Sequence, residues 1–125
     1  MALIMVIDDE ELIRSVLTAI LELEGHTVAT FSGADEALRM LGTLAPDLVI
    51  TDIVMPRKEG IELIVELRKS RPSLTIIAIS GGGAQGGQGY LKIAGVLGAF
   101  RTLKKPFSRA EIIAAVNDAL AARSG

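Results

Sequence analysis

Near its start the chain reads Leu3-Ile4-Met5-Val6-Ile7-Asp8-Asp9, five apolar residues followed directly by two acids. A short continuous apolar run of this kind predicts a strand that is buried on both faces of a parallel sheet. Between Glu10 and Glu24 the period changes, because apolar residues now recur every three or four positions, which predicts a helix. The recurring positions are Leu12, Ile13, Val16, Leu17, Ile20 and Leu21.

The same alternation occurs four more times along the chain. Further strands are predicted at Thr27–Phe31, Leu48–Thr51, Leu74–Ile79 and Ala99–Leu103. Further helices are predicted from a Ser32 cap to Leu44, at Lys58–Ser70, near Tyr90–Leu97, and from a Ser108 cap to about Ala122. Right-handed crossovers place such helices on both sides of the sheet. The pattern predicts an α/β, flavodoxin-like doubly wound fold with a five-stranded parallel sheet, as a single domain over residues 1–125.

The charges are divided unevenly between the two parts of the chain. The 125 residues have a formal net charge of −2, but residues 1–66 carry −9 and residues 67–125 carry +7. A basic nucleic-acid arm could explain this split, and so could a fold that brings opposite charges together. The bases are dispersed through ordinary strand–helix units, which favours the second explanation.

Composition excludes several classes of protein. The absence of cysteine excludes disulfides, thiolate zinc sites and a catalytic thiol, and the single histidine, His26, argues against a histidine-based metal cage. No apolar run reaches the ~20 residues that a membrane-spanning helix needs. Aromatic residues make up 3% of the chain, which is thin for stacking on nucleic acid. We therefore expect a cytoplasmic protein that contacts neither membrane nor nucleic acid directly, and no signal peptide at Met1–Ile7.

Polar residues follow four of the five predicted strands. Sites in open α/β sheets lie at the carboxyl ends of the strands. Those ends carry Asp8 and Asp9 on the first strand, Asp52 on the third, Ser80 on the fourth and Lys105 on the fifth. Three carboxylates, one hydroxyl and one ammonium are therefore expected at one rim of the sheet.

This set of groups indicates phosphoryl chemistry. Clustered carboxylates resist ionisation beside one another, and a hard cation such as Mg²⁺ (or Mn²⁺) relieves that repulsion. A carboxylate beside the cation can attack phosphorus, while a lysine and a hydroxyl bind the other phosphoryl oxygens. The rim therefore predicts Mg²⁺-dependent transfer of a phosphoryl group to an aspartate.

Motifs in a fixed order carry a resemblance to a known family. They are Asp8-Asp9, the stretch Leu48–Pro56 with Gly60 after it, Ser80, and Gly98-Ala99 leading to Lys105-Pro106-Phe107. In this order and at these spacings, the chain resembles the receiver domain of two-component response regulators over essentially its whole length. The resemblance implies a strand order of 2-1-3-4-5.

The resemblance also implies a role for each residue of the rim. The metal would be bound directly by Asp9, partly through water by Asp8, by Asp52, and by the backbone carbonyl of Val54. Asp52 would be the phosphoacceptor. Lys105 would bind a phosphoryl oxygen, and Ser80 would respond to the presence of the phosphoryl group. Pro106 would shape the turn after the fifth strand, and a cis Lys105–Pro106 bond is a candidate geometry for it.

The resemblance implies partners as well. The phosphoryl donor would be a phosphohistidine of a sensor histidine kinase or phosphotransfer protein. A downstream protein, or a second subunit in a homodimer, would dock on the surface formed by the fourth helix, fifth strand and fifth helix. Ser80, Thr102 and Pro106 would form the switch that alters this surface. The chain would assist only its own phosphorylation and dephosphorylation, and so would not be an enzyme.

The sequence departs from the family pattern at three positions. Thr102 stands three residues before Lys105, where the family usually has an aromatic residue coupled to the Ser/Thr. Gly81-Gly82-Gly83 follows Ser80, so we expect the segment Gly81–Leu97, rather than an aromatic flip, to carry the conformational response. Val54 stands where many members have a polar residue, so we expect the rate at which water attacks the phosphorylated aspartate to differ from that of those members.

Three alternative interpretations arise from the residues alone, and the second of them is rejected as a chance motif match in a flexible loop. A phosphohydrolase of the haloacid dehalogenase type would place its nucleophile after the first strand, with a second Asp two residues on, but residue 10 is Glu. Gly81–Gly86 matches a dinucleotide fingerprint, yet no acid occurs between Glu66 and Glu111 to bind a ribose. A receiver used mainly for dimerisation is the third alternative.

Overall fold

Strands and helices alternate along the chain as the sequence predicts. The computed structural model describes residues 2–53, 60–81, 92 and 95–124. The strands are β1 (Leu3–Ile7), β2 (Thr27–Phe31), β3 (Leu48–Asp52), β4 (Thr75–Gly81) and β5 (Arg101–Lys105). The helices are α1 (Glu11–Leu23), α2 (Ala34–Leu44), α3 (Gly60–Ser70) and α4 (Arg109–Ser124).

Two predicted helices fall partly outside the described residues. Lys92, Gly95 and Val96 are helical, but most of the helix predicted near Tyr90–Leu97 lies outside the described residues. The same holds for the start of the helix predicted from Lys58, and for the glycine-rich segment after Gly81.

The five strands form one parallel sheet. Their order is β2-β1-β3-β4-β5, which confirms the flavodoxin-like doubly wound prediction. Register aligns the carboxyl ends, because Ile7 lies opposite Phe31 on one side and opposite Thr51 on the other. Asp52 lies opposite Ile79, and Ser80 lies opposite Lys104. The residues that follow these strands therefore share one rim.

The core occupies both faces of the sheet. Alternate side chains of a strand point to opposite faces, so Met5 and Ile7 pack with α2 and α3, whereas Ile4 and Val6 pack with α1 and α4. β1, β3 and β4 are almost wholly buried, which explains why they are continuous apolar runs in the sequence. None of the described helices has the length and apolar character needed to cross a membrane.

Several predicted details were wrong. β5 begins at Arg101, two residues after the predicted Ala99, because an edge strand is half-exposed and does not need a continuous apolar run. Leu12 and Val16 are exposed, although they belong to the apolar period of α1. Ser32 does not cap α2: the N-cap is Gly33, and no side chain hydrogen-bonds there.

The cap predicted for the last helix is confirmed. The Glu111 amide donates a hydrogen bond to Ser108 Oγ at 3.0 Å, and the Ser108 amide donates one to Glu111 Oε1 at 2.8 Å. Together they form a reciprocal capping box, which satisfies two backbone amides at the start of α4. α4 therefore begins directly after the turn that carries Lys105 and Pro106.

Candidate functional site

The predicted rim residues come together at the carboxyl end of the sheet. Asp8 follows β1, Asp52 is the last residue of β3 and Lys105 is the last residue of β5. Ser80 is the penultimate residue of β4 and so lies within the strand, not after it as predicted. Asp8, Asp52 and Ser80 are buried, whereas Asp9 is exposed. Most of these polar side chains are therefore buried at the carboxyl end of the sheet.

The Lys105 ammonium joins three carboxylates. Its Nζ lies 2.9 Å from Asp8 Oδ2, 2.9 Å from Glu10 Oε1 and 3.3 Å from Asp52 Oδ2. The Lys105 side chain is 11% exposed, and the side chains of Asp8 and Asp52 are 2% and 4% exposed. A lysine so enclosed is held by charge-assisted hydrogen bonds on the inner side of the site.

The turn after β1 holds Asp8 in place. The Glu10 amide donates a hydrogen bond to Asp8 Oδ1 at 2.9 Å, and Arg14 Nη1 donates one to the Asp8 carbonyl at 2.7 Å. The Asp8 amide itself donates to the Phe31 carbonyl at 3.1 Å. Backbone and side chain of Asp8 are thus both fixed, so its carboxylate has a defined position at the rim.

Burial and neighbouring positive charge shift the pKa of Asp8 in opposite directions. Burial raises the pKa of the Asp8 carboxyl above its usual value, because a charged group loses its hydration there. The hydrogen bonds from Lys105 and from the Glu10 amide act in the opposite direction but do not cancel this effect. Burial therefore disfavours the charged form of Asp8 even with the Lys105 ammonium beside it.

At Lys105 the neighbouring carboxylates affect the pKa more than burial does. Burial by itself lowers the pKa of the lysine, but the hydrogen bonds to Glu10 and Asp8, and the charges of Asp52 and Asp8, outweigh it. The net effect raises the pKa of Lys105 above its usual value. The ammonium therefore stays charged throughout the physiological pH range.

The carboxylates are spaced to share a cation. One oxygen each from Asp8, Asp9, Glu10 and Asp52 lies within 4.8 Å of the others. An all-oxygen donor set with a deficit of positive charge fits Mg²⁺, which binds one or two carboxylates and completes its shell with water and phosphate oxygens. The backbone carbonyl of Val54, the fourth predicted metal ligand, lies outside the described residues.

Ser80 and Thr102 occupy neighbouring strands. Ser80 is fully buried, and within the described part of the chain its Oγ has no hydrogen-bond partner. Such a hydroxyl is uncommon in a folded interior and marks a place where a further acceptor could bind. Thr102 is half-buried on β5 and lies opposite Ala78, two residues before Ser80.

The turn after β5 contains the expected unusual peptide. The Lys105–Pro106 bond is cis, and Pro106 is exposed. Lys104, which precedes the site lysine, is exposed as well. His26, to which the sequence assigns no role, accepts a hydrogen bond from the Ala2 amide at 3.3 Å.

Glu10 is the site residue that sequence reasoning missed. In the sequence it could only be read as one acid in the first turn of α1, where negative charge is favourable. The structure instead joins its carboxylate to Lys105. The one hint in the sequence is that Glu10 directly follows Asp8-Asp9, but the direction of its side chain is not specified there.

The comparisons agree with this geometry. The family model of the response regulator receiver domain matches residues 4–117. The DNA-binding transcriptional regulator NtrC of Azospirillum brasilense is 41% identical over 119 residues, which cover 95% of this chain and 24% of that protein. This chain therefore spans about a quarter of the length of that relative.

Solved structures show the same likeness. The response regulator receiver domain protein of Clostridium thermocellum matches with a TM-score of 0.91 at 32% identity, covering 99% of this chain and 98% of that one. The beryllofluoride-activated NtrC4 receiver domain dimer matches with a TM-score of 0.88 at 30% identity, covering 97% and 98%. Sequence, fold and rim agree, and the chain belongs to the response regulator receiver domain family.

Proposed function

We propose that Asp52 accepts a phosphoryl group from a phosphohistidine in a Mg²⁺-dependent reaction, and that this changes the affinity of the domain for a partner. The observation that carries the proposal is the contact of Lys105 Nζ with Asp52 Oδ2 at 3.3 Å, beside a second buried carboxylate, Asp8. A nucleophilic carboxylate, an ammonium and a set of cation ligands are the three parts that phosphoryl transfer to an aspartate requires.

In the proposed step, an Asp52 carboxylate oxygen attacks phosphorus and the bond from phosphorus to the donor imidazole nitrogen breaks. The phosphoryl group becomes an acyl phosphate on Asp52, and the imidazole leaves with its electron pair. Lys105 exchanges its contact with Asp52 for one with a phosphoryl oxygen. Ser80 supplies a hydroxyl for another oxygen, which gives its buried Oγ an acceptor.

The carboxylates of Asp8, Asp9 and Asp52 would hold the divalent cation. When bound, it supplies positive charge to the phosphoryl oxygens. The residues around it exclude water, because Asp8 and Asp52 are buried beneath the rim. They also orient the acceptor, since Asp52 is the terminal residue of a strand with a neighbour on each side.

The donor and the downstream protein are partners in this proposal. Residues 1–125 act as one receiver domain, with a sensor histidine kinase or phosphotransfer protein as donor. The downstream partner, or a second copy of the chain, docks near β5, where Val96 is 84% exposed and Phe100 is 39% exposed. Arg101 lies over the Phe100 ring at 5.4 Å and bonds to Asp118 at 2.9 Å, so this surface combines apolar and charged groups.

Thr102 lies on β5, which borders this surface, and Pro106 lies in the turn directly after β5. We propose that Ser80, Thr102 and Pro106 pass the presence of the phosphoryl group to the surface near β5. Within the segment Gly81–Leu97, for which the sequence predicts the conformational response, the structure describes only residues 81, 92 and 95–97.

Stoichiometry separates this proposal from a phosphatase. The chain is incubated with Mg²⁺ and acetyl phosphate, and separately with p-nitrophenyl phosphate. We expect at most one phosphoryl group per chain from the first, and no sustained release of nitrophenol from the second. Many turnovers on p-nitrophenyl phosphate, lost in Asp52→Asn, would instead establish a phosphohydrolase.

A further inference from the structure

Glu10 occupies the N-cap position of α1 but does not cap the helix. Its backbone has φ −90° and ψ 116°, and its side chain makes no capping hydrogen bond. Ser, Thr, Asp and Asn are preferred at this position because their short side chains reach the free amides of the first turn. The chain thus has a poor helix cap at the position that borders the rim.

The Glu10 side chain is directed to Lys105 instead. Its Oε1 lies 2.9 Å from Lys105 Nζ across 95 residues of sequence. Glu10 is 58% exposed, whereas the two other carboxylates that contact Lys105 are buried. Lys105 Nζ donates hydrogen bonds to Glu10 and Asp52 and forms an ion pair with Asp8, so three carboxylates share one ammonium.

The proposed reaction assigns no role to Glu10, the third carboxylate that contacts Lys105. Asp8 has a role toward the cation and Asp52 toward phosphorus, but Glu10 is assigned neither. It nevertheless belongs to the cluster of carboxylates whose oxygens lie within 4.8 Å of one another. A charge so near the site must affect both a bound cation and an approaching anion.

We infer that Glu10 sets the charge of the site: it strengthens divalent cation binding and slows attack on an anionic phosphodonor. The second part of this inference rests on the proposed function. Asp8, Asp9, Glu10 and Asp52 with Lys105 give the ionised site a charge of −3. A divalent cation leaves −1, and without Glu10 the same site would be neutral.

Cation binding tests the first part without any phosphodonor. Calorimetric titration with Mg²⁺ compares the unchanged chain with Glu10→Gln, which keeps a hydrogen-bond acceptor and removes the charge. We expect the dissociation constant to rise at least about threefold, since removing a negative charge a few ångströms from the cation weakens their attraction even at an exposed site.

Two further variants separate charge from structure. Glu10→Asp keeps the charge at the rim and should stay close to the unchanged chain. Glu11→Gln removes the next acid, which is exposed and lies in a groove with Arg14 and Ser15 rather than in the carboxylate cluster. Equal Mg²⁺ affinity in Glu10→Gln and Glu11→Gln would overturn the inference.

Phosphorylation at saturating Mg²⁺ tests the second part. With acetyl phosphate as donor, we expect Glu10→Gln to be phosphorylated at least about threefold faster than the unchanged chain, because the same repulsion is removed. An unchanged or slower rate would contradict this part. Absence of phosphorylation in the unchanged chain would overturn the proposed function instead, and the Mg²⁺ titration would still decide whether Glu10 strengthens cation binding.

Discussion

Among single residues, Asp8 shows the electrostatic cost of burying a carboxylate at the rim. Its carboxylate is buried, accepts a hydrogen bond from the Glu10 amide, and lies 2.9 Å from the Lys105 ammonium. Even so, burial raises its pKa, because the Lys105 ammonium does not fully replace the hydration that the carboxylate loses. The site therefore carries an electrostatic cost in the absence of a cation.

This cost predicts how stability depends on pH. Because the folded chain favours the protonated Asp8 carboxyl, ionisation of Asp8 lowers the free energy of unfolding as pH rises above its usual pKa of 3.8. Asp8→Asn cannot ionise. It should be more stable than the unchanged chain at neutral pH, and the difference should shrink as pH falls toward 3.8.

Urea denaturation at several pH values, without Mg²⁺, measures this difference. Glu22→Gln serves as the control, because Glu22 is exposed in the last turn of α1, away from the rim. If Asp8→Asn is less stable than the unchanged chain at pH 7, the electrostatic account of the site is wrong.

At the scale of elements, the sequence predicts strands best where both faces are buried. β1 and β3 are continuous apolar runs, because helices cover the sheet on both sides. The edge strand β5 has polar residues, and its bounds were predicted two residues too early. Asp8, Asp52 and Lys105 could be placed together because parallel strands end at one rim. The Glu10 contact could not, because it depends on a side-chain direction that the sequence does not specify.

Arg68 ties the end of α3 to the segment before β5. Its guanidinium donates hydrogen bonds to the carbonyls of Pro72, Leu74 and Gly98 at 2.9, 2.6 and 2.8 Å. Gly98 has φ +106°, and a Cβ at this position would lie 3.0 Å from Arg68 Nε. The backbone at Gly98 therefore has a conformation, and a close neighbour, that other residues accommodate poorly.

Gly98→Ala should destabilise the fold for this reason. We expect a loss of about 1–3 kcal/mol in the free energy of unfolding, the usual cost of a strained backbone position. Gly95→Ala is the matched control, because Gly95 is helical and a Cβ there meets nothing within 4 Å. That variant should be neutral or more stable, and equal losses in both variants would argue against the Gly98 explanation.

At the scale of the whole molecule, the fold brings the two oppositely charged parts of the chain together. Lys105, from the basic part, contacts Asp8, Glu10 and Asp52 from the acidic part. Arg109 at the start of α4 lies 3.8 Å from Glu24 at the end of α1, in a second contact of this kind. At the rim, however, carboxylates still outnumber the lysine.

Mg²⁺ should therefore stabilise the folded chain. A ligand that binds only the folded state at ten times its dissociation constant adds about 1.4 kcal/mol. Chemical denaturation with increasing Mg²⁺ should show this gain, and Asp9→Asn should lose most of it. A gain of the same size in Asp9→Asn would mean that the cation binds elsewhere.

Asp52 is proposed to receive the phosphoryl group with the help of a divalent cation. Intact mass spectrometry after incubation with Mg²⁺ and phosphoramidate tests it most directly, with Asp118→Asn as the control for removal of an exposed acid on α4. We predict a mass gain of one phosphoryl group in the unchanged chain and in Asp118→Asn, and none in Asp52→Asn or after Mg²⁺ is chelated. A gain that persists in Asp52→Asn, or its absence from the folded unchanged chain, would contradict the claim.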